Sequence, residues 1–180
     1  YALNTFDEKQ TITYYLEALN LFKEKLSDYR KGVLLNKIGY HNWKLGNYLA
    51  ALGYYKQALE IFKEIHEISL IAKVENNLAV VYWGLGNYND ALELYQKALK
   101  VRIEENDYRG ISVISNNIGE IYREWGIFEE ALKYHSDALA NANKSNNLVA
   151  IAYSNLNLGI CYEAKSELKK ALEFYKSSHK

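Results

Sequence analysis

Residues 77–99 read NLAVVYWGLGNYNDALELYQKAL, and residues 117–139 read NIGEIYREWGIFEEALKYHSDAL. The two stretches carry small residues, aromatic residues and glycine at matching places, forty residues apart. Self-similarity at a fixed period of this size predicts a solenoid, in which each unit buries its apolar face by stacking on its neighbours. Three sets of small residues keep the same register: Gly39, Ala79, Gly119 and Gly159; Ala51, Ala91, Ala131 and Ala171; and Ala58, Ala98 and Ala138.

Each repeat unit is predicted to be a pair of helices, which makes the fold class an all-α solenoid of stacked antiparallel helix pairs. In the first complete unit, apolar residues follow helical spacing over residues 28–45. Gly46 then ends the helix, because a residue without Cβ tolerates a left-handed backbone. Gly86 and Gly126 repeat this stop signal. Ser166 takes the place in the last unit, so we expect its turn to be looser or differently shaped.

The register describes the whole chain, 1–180, as a single solenoid that begins with a truncated unit. The apolar stripe that contains Tyr15 and Leu19 matches the stripe that contains Tyr55 and Leu59, so the first residues are expected to form the second helix of a truncated repeat. The chain begins with Tyr1 and has no methionine, which we interpret as a segment of a longer protein. The predicted units are residues 1–26, 27–66, 67–106, 107–146 and 147–180.

Candidate helix caps also recur with the repeat. Ser27, Asp107 and Asn147 each precede the first helix of a unit, where a short polar side chain can accept a hydrogen bond from a free backbone amide. Glu67 occupies this place in one unit, and we expect the cap there to shift to Ser69.

Composition narrows the classes of function. The 180 residues include no proline and ten glycines, so little breaks a helix, and 49% are apolar. The 22 basic and 22 acidic residues balance, which gives no support for a nucleic-acid or membrane partner. No apolar run is long enough to cross a bilayer. The one cysteine, Cys161, cannot form an internal disulfide and favours a cytoplasmic location.

Side chains suited to catalysis or metal binding are scattered. None of the four histidines, His41, His66, His135 and His179, has a second ligand three or four positions away. We therefore predict no metal site, no cofactor and no enzymatic activity in this chain. The register aligns His41 and Cys161 with apolar core positions, which predicts that both are packing residues.

The repeated order of residues resembles the tetratricopeptide repeat (TPR). The resemblance rests on Asn77, Leu78, Ala79, Tyr82, Gly86, Asn87, Tyr88, Ala91, Leu92, Tyr95, Ala98 and Leu99, and again on Asn117, Ile118, Gly119, Tyr122, Gly126, Phe128, Ala131 and Leu132. Two features depart from the usual pattern: the period is forty residues, longer than usual, and the proline after the second helix is missing. Both departures imply longer helices.

Lengthened repeats of this kind are similar to those of kinesin light chains, of Gly-Leu-Asn-type spindle adaptors and of bacterial regulators, including Rap-like peptide receptors. The bias toward Asn, Lys, Ile and Tyr favours the bacterial group. The resemblance implies a right-handed superhelix that binds a protein or peptide, with the first helix of each pair lining a concave groove. It also argues against a chaperone-tail receptor, because Lys37, Lys73 and Arg123 do not reproduce the lysine, asparagine and arginine set of that clamp.

Asparagines recur on the face that the resemblance assigns to the groove. Asn77, Asn117 and Asn157 occupy one helical position in three units, and Lys37 interrupts the series. A carboxamide offers both a donor and an acceptor to a peptide bond, so these residues are predicted to grip an extended peptide. The alternative is that they bond to a neighbouring helix. The neighbouring asparagines predicted to face the same groove are Asn36, Asn76 and Asn116.

Aromatic and charged residues complete the predicted groove. Tyr40, Trp43 and Trp83 would form an aromatic wall that anchors a partner, with packing against an adjacent helix as the alternative. Arg123 and Glu120 would form a charged end of the same face; the alternative is that they only pair with each other along their helix.

Two further expectations concern the use of the groove and the ends of the chain. A module of the same fold could instead be a spacer whose groove stays empty, which holds an effector domain at a distance or regulates it by packing against it within the same chain. Exposed Trp43 and Trp83 would favour binding, and buried rings would favour the spacer. The end helices, with Tyr15 and Leu172, could also support self-association through apolar surface.

Overall fold

The computed structural model describes residues 2–22 and 26–178, with side chains described from residue 8 onward. His179, one of the scattered histidines, lies outside this part of the chain. The regular structure of the described residues is entirely helical, which confirms the predicted all-α helical-repeat solenoid. The helices are α1 (Ala2–Leu21), α2 (Asp28–Lys44), α3 (Tyr48–Glu64), α4 (Ile68–Gly84), α5 (Tyr88–Glu104), α6 (Tyr108–Glu124), α7 (Phe128–Lys144), α8 (Leu148–Ala164) and α9 (Leu168–Ser178).

The helix lengths explain the long repeat. Helices α2 to α8 each contain 17 residues, so one helix and its three-residue connection account for half of the period. The expectation of longer helices is confirmed.

The turns that end α2 to α8 share one hydrogen-bond pattern. After α2, the Gly46 amide donates to the Trp43 carbonyl at 2.9 Å and the Asn47 amide donates to the Asn42 carbonyl at 2.9 Å. This pair of bonds requires a left-handed residue between the helices, and Gly46 has φ of 76°. The expectation of a different turn at Ser166 is wrong, because Ser166 adopts φ of 62° and its amide makes the same bond.

Three predicted caps are confirmed and one is corrected. The side chains of Ser27, Asp107 and Asn147 each accept a hydrogen bond from a backbone amide in the first turn of α2, α6 and α8. Helix α4 begins at Ile68 directly after Glu67, so Ser69 lies inside the helix rather than at its cap. The helix needs no polar cap to start there because tertiary packing outweighs the contribution of one capping bond.

The chain divides into two compact units, Tyr1–Leu94 and Tyr95–Lys180, with the division inside α5. In unit 1, α1 packs on α2, α2 on α3 and α3 on α4. Its core surrounds the rings of Tyr55 and Phe62, which are almost fully buried. Gly39 permits a close approach of α2 and α3, because a Cβ at this position would lie 2.7 Å from the Tyr55 ring. The predicted role of the small residues in helix packing is borne out here.

In unit 2, α6 packs on α7, α7 on α8 and α8 on α9. Ala131, Leu132, Leu158 and Cys161 form a buried cluster between these helices. Burial raises the pKa of the Cys161 thiol to about 11, as expected for a small packing residue. No helix within the described residues is long and apolar enough to cross a membrane.

Candidate functional site

A surface cavity lies in unit 1 between the carboxyl-terminal ends of α2 and α4. This cavity, which we name the aromatic cavity, has a volume of about 540 Å³. The turn between α2 and α3 forms its remaining side. Its lining residues are Tyr40, Trp43, Lys44, Gly46, Tyr48, Val80, Trp83 and Gly84.

The three rings predicted to form an aromatic wall meet in this cavity. The ring centroids of Tyr40 and Trp43 lie 5.8 Å apart at an interplanar angle of 37°. Trp83 is 37% exposed and Tyr40 is 44% exposed, while Trp43 is half-buried, so all three rings retain surface that a ligand can contact. A Cβ at position 84 would lie 3.4 Å from the Tyr48 ring, so the glycine at this position keeps part of the cavity open.

The polar edge of the aromatic cavity is fixed by an ion pair with α1. The Lys44 ammonium pairs with the Glu8 carboxylate and lies 5.8 Å from the centroid of the Tyr40 ring. Glu8 also bonds to the half-buried His41 ring. The hydrogen bonds from His41 and Lys44 hold the pKa of the Glu8 carboxyl below its usual value. His41 is therefore a hydrogen-bonded packing residue, as predicted.

The predicted groove asparagines of unit 1 bond to one another. The Asn77 amide nitrogen donates to the Asn36 side-chain oxygen at 2.9 Å, which links α4 to α2. The Asn76 amide nitrogen lies 3.5 Å from the Asn77 oxygen, and the Asn76 oxygen is buried without a hydrogen-bond partner. Lys37 is exposed and its ammonium lies 5.6 Å from the centroid of the Tyr15 ring. These contacts match the alternative reading of Asn77, a bond to a neighbouring helix.

A second cavity lies in unit 2 between the amino-terminal halves of α6 and α8. This α6–α8 cavity has a volume of about 350 Å³. Arg109 is the charged residue of its lining and carries no partner among the described residues. The lining residues are Arg109, Val113, Asn116, Asn117, Asn147, Val149, Ala150 and Tyr153.

Asn116 lies at the base of this cavity and is only 2% exposed. Its amide nitrogen donates to the Ser154 hydroxyl at 2.7 Å, so its side-chain oxygen is the atom that meets the His135 ring. The His135 Nδ1 atom lies 2.9 Å from that oxygen and must be the protonated ring nitrogen, because the oxygen can only accept. Both polar atoms of the Asn116 side chain therefore bond inside unit 2, and little of its surface is available to a peptide.

The two units arrange equivalent asparagines differently. Asn36 and Asn77 of unit 1 correspond, eighty positions on, to Asn116 and Asn157 of unit 2. Asn36 accepts the bond from Asn77, whereas the Asn116 oxygen is bonded to His135 and the buried Asn157 amide nitrogen has no partner of hydrogen-bonding geometry. Position 135 of unit 2 carries a histidine, whereas the equivalent position of unit 1 carries a tyrosine. This exchange accompanies the different hydrogen bonding of the asparagines.

Arg123, the predicted cation of the groove, pairs along its own helix. Its guanidinium lies 2.6 Å from a Glu120 oxygen and 2.7 Å from a Glu124 oxygen. This arrangement matches the alternative of side-chain pairing along the helix. Asn117 is the predicted groove residue of unit 2 that combines partial exposure with a place in a cavity lining.

Sequence reasoning missed several lining residues. The repeat pattern gives Tyr48 no role in a site and marks Asn147 only as a helix cap. Val113 precedes Asn117 by one helical turn and could have been found by extending the predicted groove face from Asn117. Arg109 gave no such signal, because the residue at this place changes from unit to unit.

The described residues contain no group of three His, Cys, Asp or Glu side chains placed to hold a metal ion. The lining of the two cavities instead combines aromatic rings, amides and single cations, which suits noncovalent contact with a peptide or protein surface.

The sequence matches family models, and the fold matches solved structures. Two family models described as tetratricopeptide repeat match residues 29–65 and 70–144, which together form more than half of the chain. No curated protein matches the sequence.

Solved structures that share the fold include the following three proteins. BtubC (BKLC) from P. vanneervenii is 22% identical, with a TM-score of 0.84 over 96% of this chain and 72% of its own. Aspartyl phosphate phosphatase F from Bacillus subtilis is 20% identical, with a TM-score of 0.88 over 96% of this chain and 47% of its own. The Rap conjugation gene regulator of the plasmid pLS20, solved in complex with the Phr* peptide, is 18% identical, with a TM-score of 0.76 over 96% of this chain and 49% of its own.

The chain therefore spans about half the length of the phosphatase and the plasmid regulator. At these identities the likeness shows the fold, and the family models assign the repeats. The chain belongs to the tetratricopeptide repeat family.

Proposed function

We propose that this chain is a protein- or peptide-binding module that anchors a bulky apolar side chain of an extended peptide in the aromatic cavity. The observation that carries the proposal is a cavity of about 540 Å³ lined by Tyr40, Trp43, Tyr48 and Trp83. Large rigid rings supply contact area at a small cost in conformational entropy, which is why they often dominate binding energy. Exposure of Trp83 supports a ligand-binding surface over a closed packing role.

The wider setting is part of the same proposal. A neighbour with this fold, the regulator of plasmid pLS20, was solved with a bound peptide. We propose that the chain is likewise the sensing or regulatory region of a larger bacterial signalling protein in the cytoplasm, and that it binds without catalysing a reaction. Amides with spare donors and acceptors, such as Asn117, would contact the peptide backbone.

A peptide display selection on the immobilised chain tests this proposal. A selected peptide would be titrated by calorimetry into the unchanged chain and into the Trp83→Ala variant. We expect the variant to lose at least about tenfold in affinity, because a ring at the centre of a contact contributes strongly. Trp125→Ala is the matched control, because Trp125 is 38% exposed and lies outside the aromatic cavity, in unit 2.

Equal loss in the two variants would contradict an anchor at the aromatic cavity. A selection that yields no binding peptide would favour the second candidate function, a spacer with an empty groove. The observation in favour of the spacer is that Asn36, Asn77 and Arg123 already use their polar atoms within the chain.

A further inference from the structure

The α6–α8 cavity holds an unneutralised positive charge. Arg109 is exposed and has no hydrogen bond or ion pair with the described residues. The carboxylate nearest to it in the sequence, Asp107, is already engaged: it accepts a bond from the Gly110 amide at 2.9 Å and lies 3.6 Å from the Arg102 guanidinium. None of the described residues that line the cavity has an acidic side chain.

Apolar surface surrounds this charge. Val113 is 41% exposed and Tyr153 is 46% exposed, and Val149 projects almost fully into solvent at the same site. Val113 follows Arg109 by one helical turn, so the two side chains share a face of α6. A ligand that fills this cavity therefore meets a cation and an apolar surface within one turn of helix.

Two amides of the lining have unused hydrogen-bonding capacity. The Asn147 oxygen caps α8 by accepting from the Ala150 amide at 3.2 Å, which leaves its amide nitrogen as a donor. The half-buried Asn117 carboxamide makes no hydrogen bond within the described residues and offers both a donor and an acceptor. A peptide bond can satisfy both groups of Asn117.

We propose that the α6–α8 cavity is a subsite for an acidic peptide segment, in which an Asp or Glu carboxylate pairs with Arg109 while the adjacent apolar side chain packs on Val113, Val149 and Tyr153. This subsite rests on the proposed peptide-binding function and specifies the chemistry of its ligand. The guanidinium fork binds a carboxylate through two parallel hydrogen bonds, which a basic or neutral side chain cannot reproduce. A basic segment would instead bring like charge against Arg109.

Capped tetrapeptides test the subsite without a natural ligand. The probes are acetyl-Ala-Leu-Glu-Ala-amide, its Leu-Gln counterpart, which removes the charge, and its Ala-Glu counterpart, which removes the apolar side chain. Binding to the full chain is followed by nuclear magnetic resonance shifts of the Val113, Asn117 and Tyr153 amides. We expect the Leu-Glu peptide to shift these signals with an affinity about fivefold above that of either counterpart, since exposed ion pairs contribute modestly.

Two variants test whether Arg109 causes the preference for the Glu peptide over the Gln peptide. Arg109→Gln should remove the preference for Glu over Gln, and Arg109→Lys should restore part of it, because lysine keeps the charge without the fork. Lys169→Gln is the matched control: it removes one positive charge from exposed surface outside the cavity and should leave the preference intact. High salt should reduce the preference in the unchanged chain.

Equal shifts for the Leu-Glu and Leu-Gln peptides would overturn the subsite, as would a preference that survives Arg109→Gln. Absence of any shift at the three reporter amides would overturn it as well. The peptide-binding proposal is judged separately, because the display selection and Trp83→Ala concern the aromatic cavity of unit 1. Shifts confined to that cavity would retain the proposed function and reject the acidic subsite.

Discussion

His135 shows how one residue changes the interior of a repeat. Tyr15, Tyr55, Tyr95 and Tyr175 occupy the same register in the other units, and the Tyr55 ring lies against Gly39 as the His135 ring lies against Gly119. The imidazole brings a donor to the Asn116 oxygen, but its Nε2 atom is buried without a partner. A buried polar atom left unpaired reduces stability, so the Nε2 atom of His135 costs free energy.

The burial of His135 predicts a pH dependence of stability. Burial, assisted by the positive charge of Arg123, lowers the pKa of His135 to about 4 in the folded chain. The unfolded imidazole titrates near about 6.5, so between these pH values the unfolded chain binds a proton that the folded chain does not. Acid therefore favours unfolding, and His135 should contribute about 2 kcal/mol to the loss of unfolding free energy between about pH 7 and about pH 4.5.

Comparison with His135→Tyr isolates this contribution. The variant carries the residue found at this place in the other repeats and removes the imidazole of His135 alone. Denaturant unfolding at several pH values should show a shallower loss of stability in acid for the variant than for the unchanged chain. Parallel losses in the two proteins would contradict the assignment to His135.

The turn of each helical hairpin depends on the second residue after the end of a 17-residue helix. Gly46, Gly86 and Gly126 have positive φ, and so do Asn106 and Asn146 at the turns between repeats. The hydrogen-bond pattern sets this backbone conformation, and the residue type adjusts only its cost. This is why a serine did not reshape the turn at position 166.

The strained conformation of Ser166 predicts a stabilising substitution. Ser166→Gly should raise the free energy of unfolding by about 1 kcal/mol, because glycine adopts a left-handed backbone without a steric penalty. Thermal denaturation checks the change. Gly126→Ser should lower stability by a similar amount, since no atom lies within 4 Å of a Cβ at Gly126 and only the backbone is affected. Ser145→Gly is the control at an ordinary φ of −89°, and a gain there equal to that of Ser166→Gly would contradict the explanation.

Sequence reasoning predicted the helices better than the sites. Glycine at the turns and small residues such as Gly39 carry direct physical constraints, so the helix pairs and their packing could be inferred. The grouping of the three aromatic rings could also be predicted, because the repeat register places Tyr40, Trp43 and Trp83 on the same helical face. Asn116 lines the α6–α8 cavity, but its side-chain amide bonds to Ser154 and His135 on other helices, and the sequence pattern gives no sign of these bonds.

At the scale of the whole molecule, each compact unit has a cavity of different chemistry. Unit 1 offers aromatic rings beside a lysine that is already paired, and unit 2 offers an unpaired arginine beside apolar surface. Arg109 could not be predicted, because its counterparts in the repeat register are Tyr29, Ser69 and Val149 and share no chemistry. Repeats that keep one fold thus present surfaces of different chemistry through residues outside the repeated pattern.

Tryptophan fluorescence tests directly whether the aromatic cavity anchors a bound peptide. The chain has three tryptophans, so Trp125→Phe leaves Trp43 and Trp83, both in the aromatic cavity, as the reporters. A display-selected peptide titrated into this variant should change the emission in a saturable way, with the midpoint that calorimetry gives, and should protect the rings from iodide quenching. Binding by calorimetry with unchanged emission and unchanged quenching would contradict the aromatic cavity as the peptide anchor.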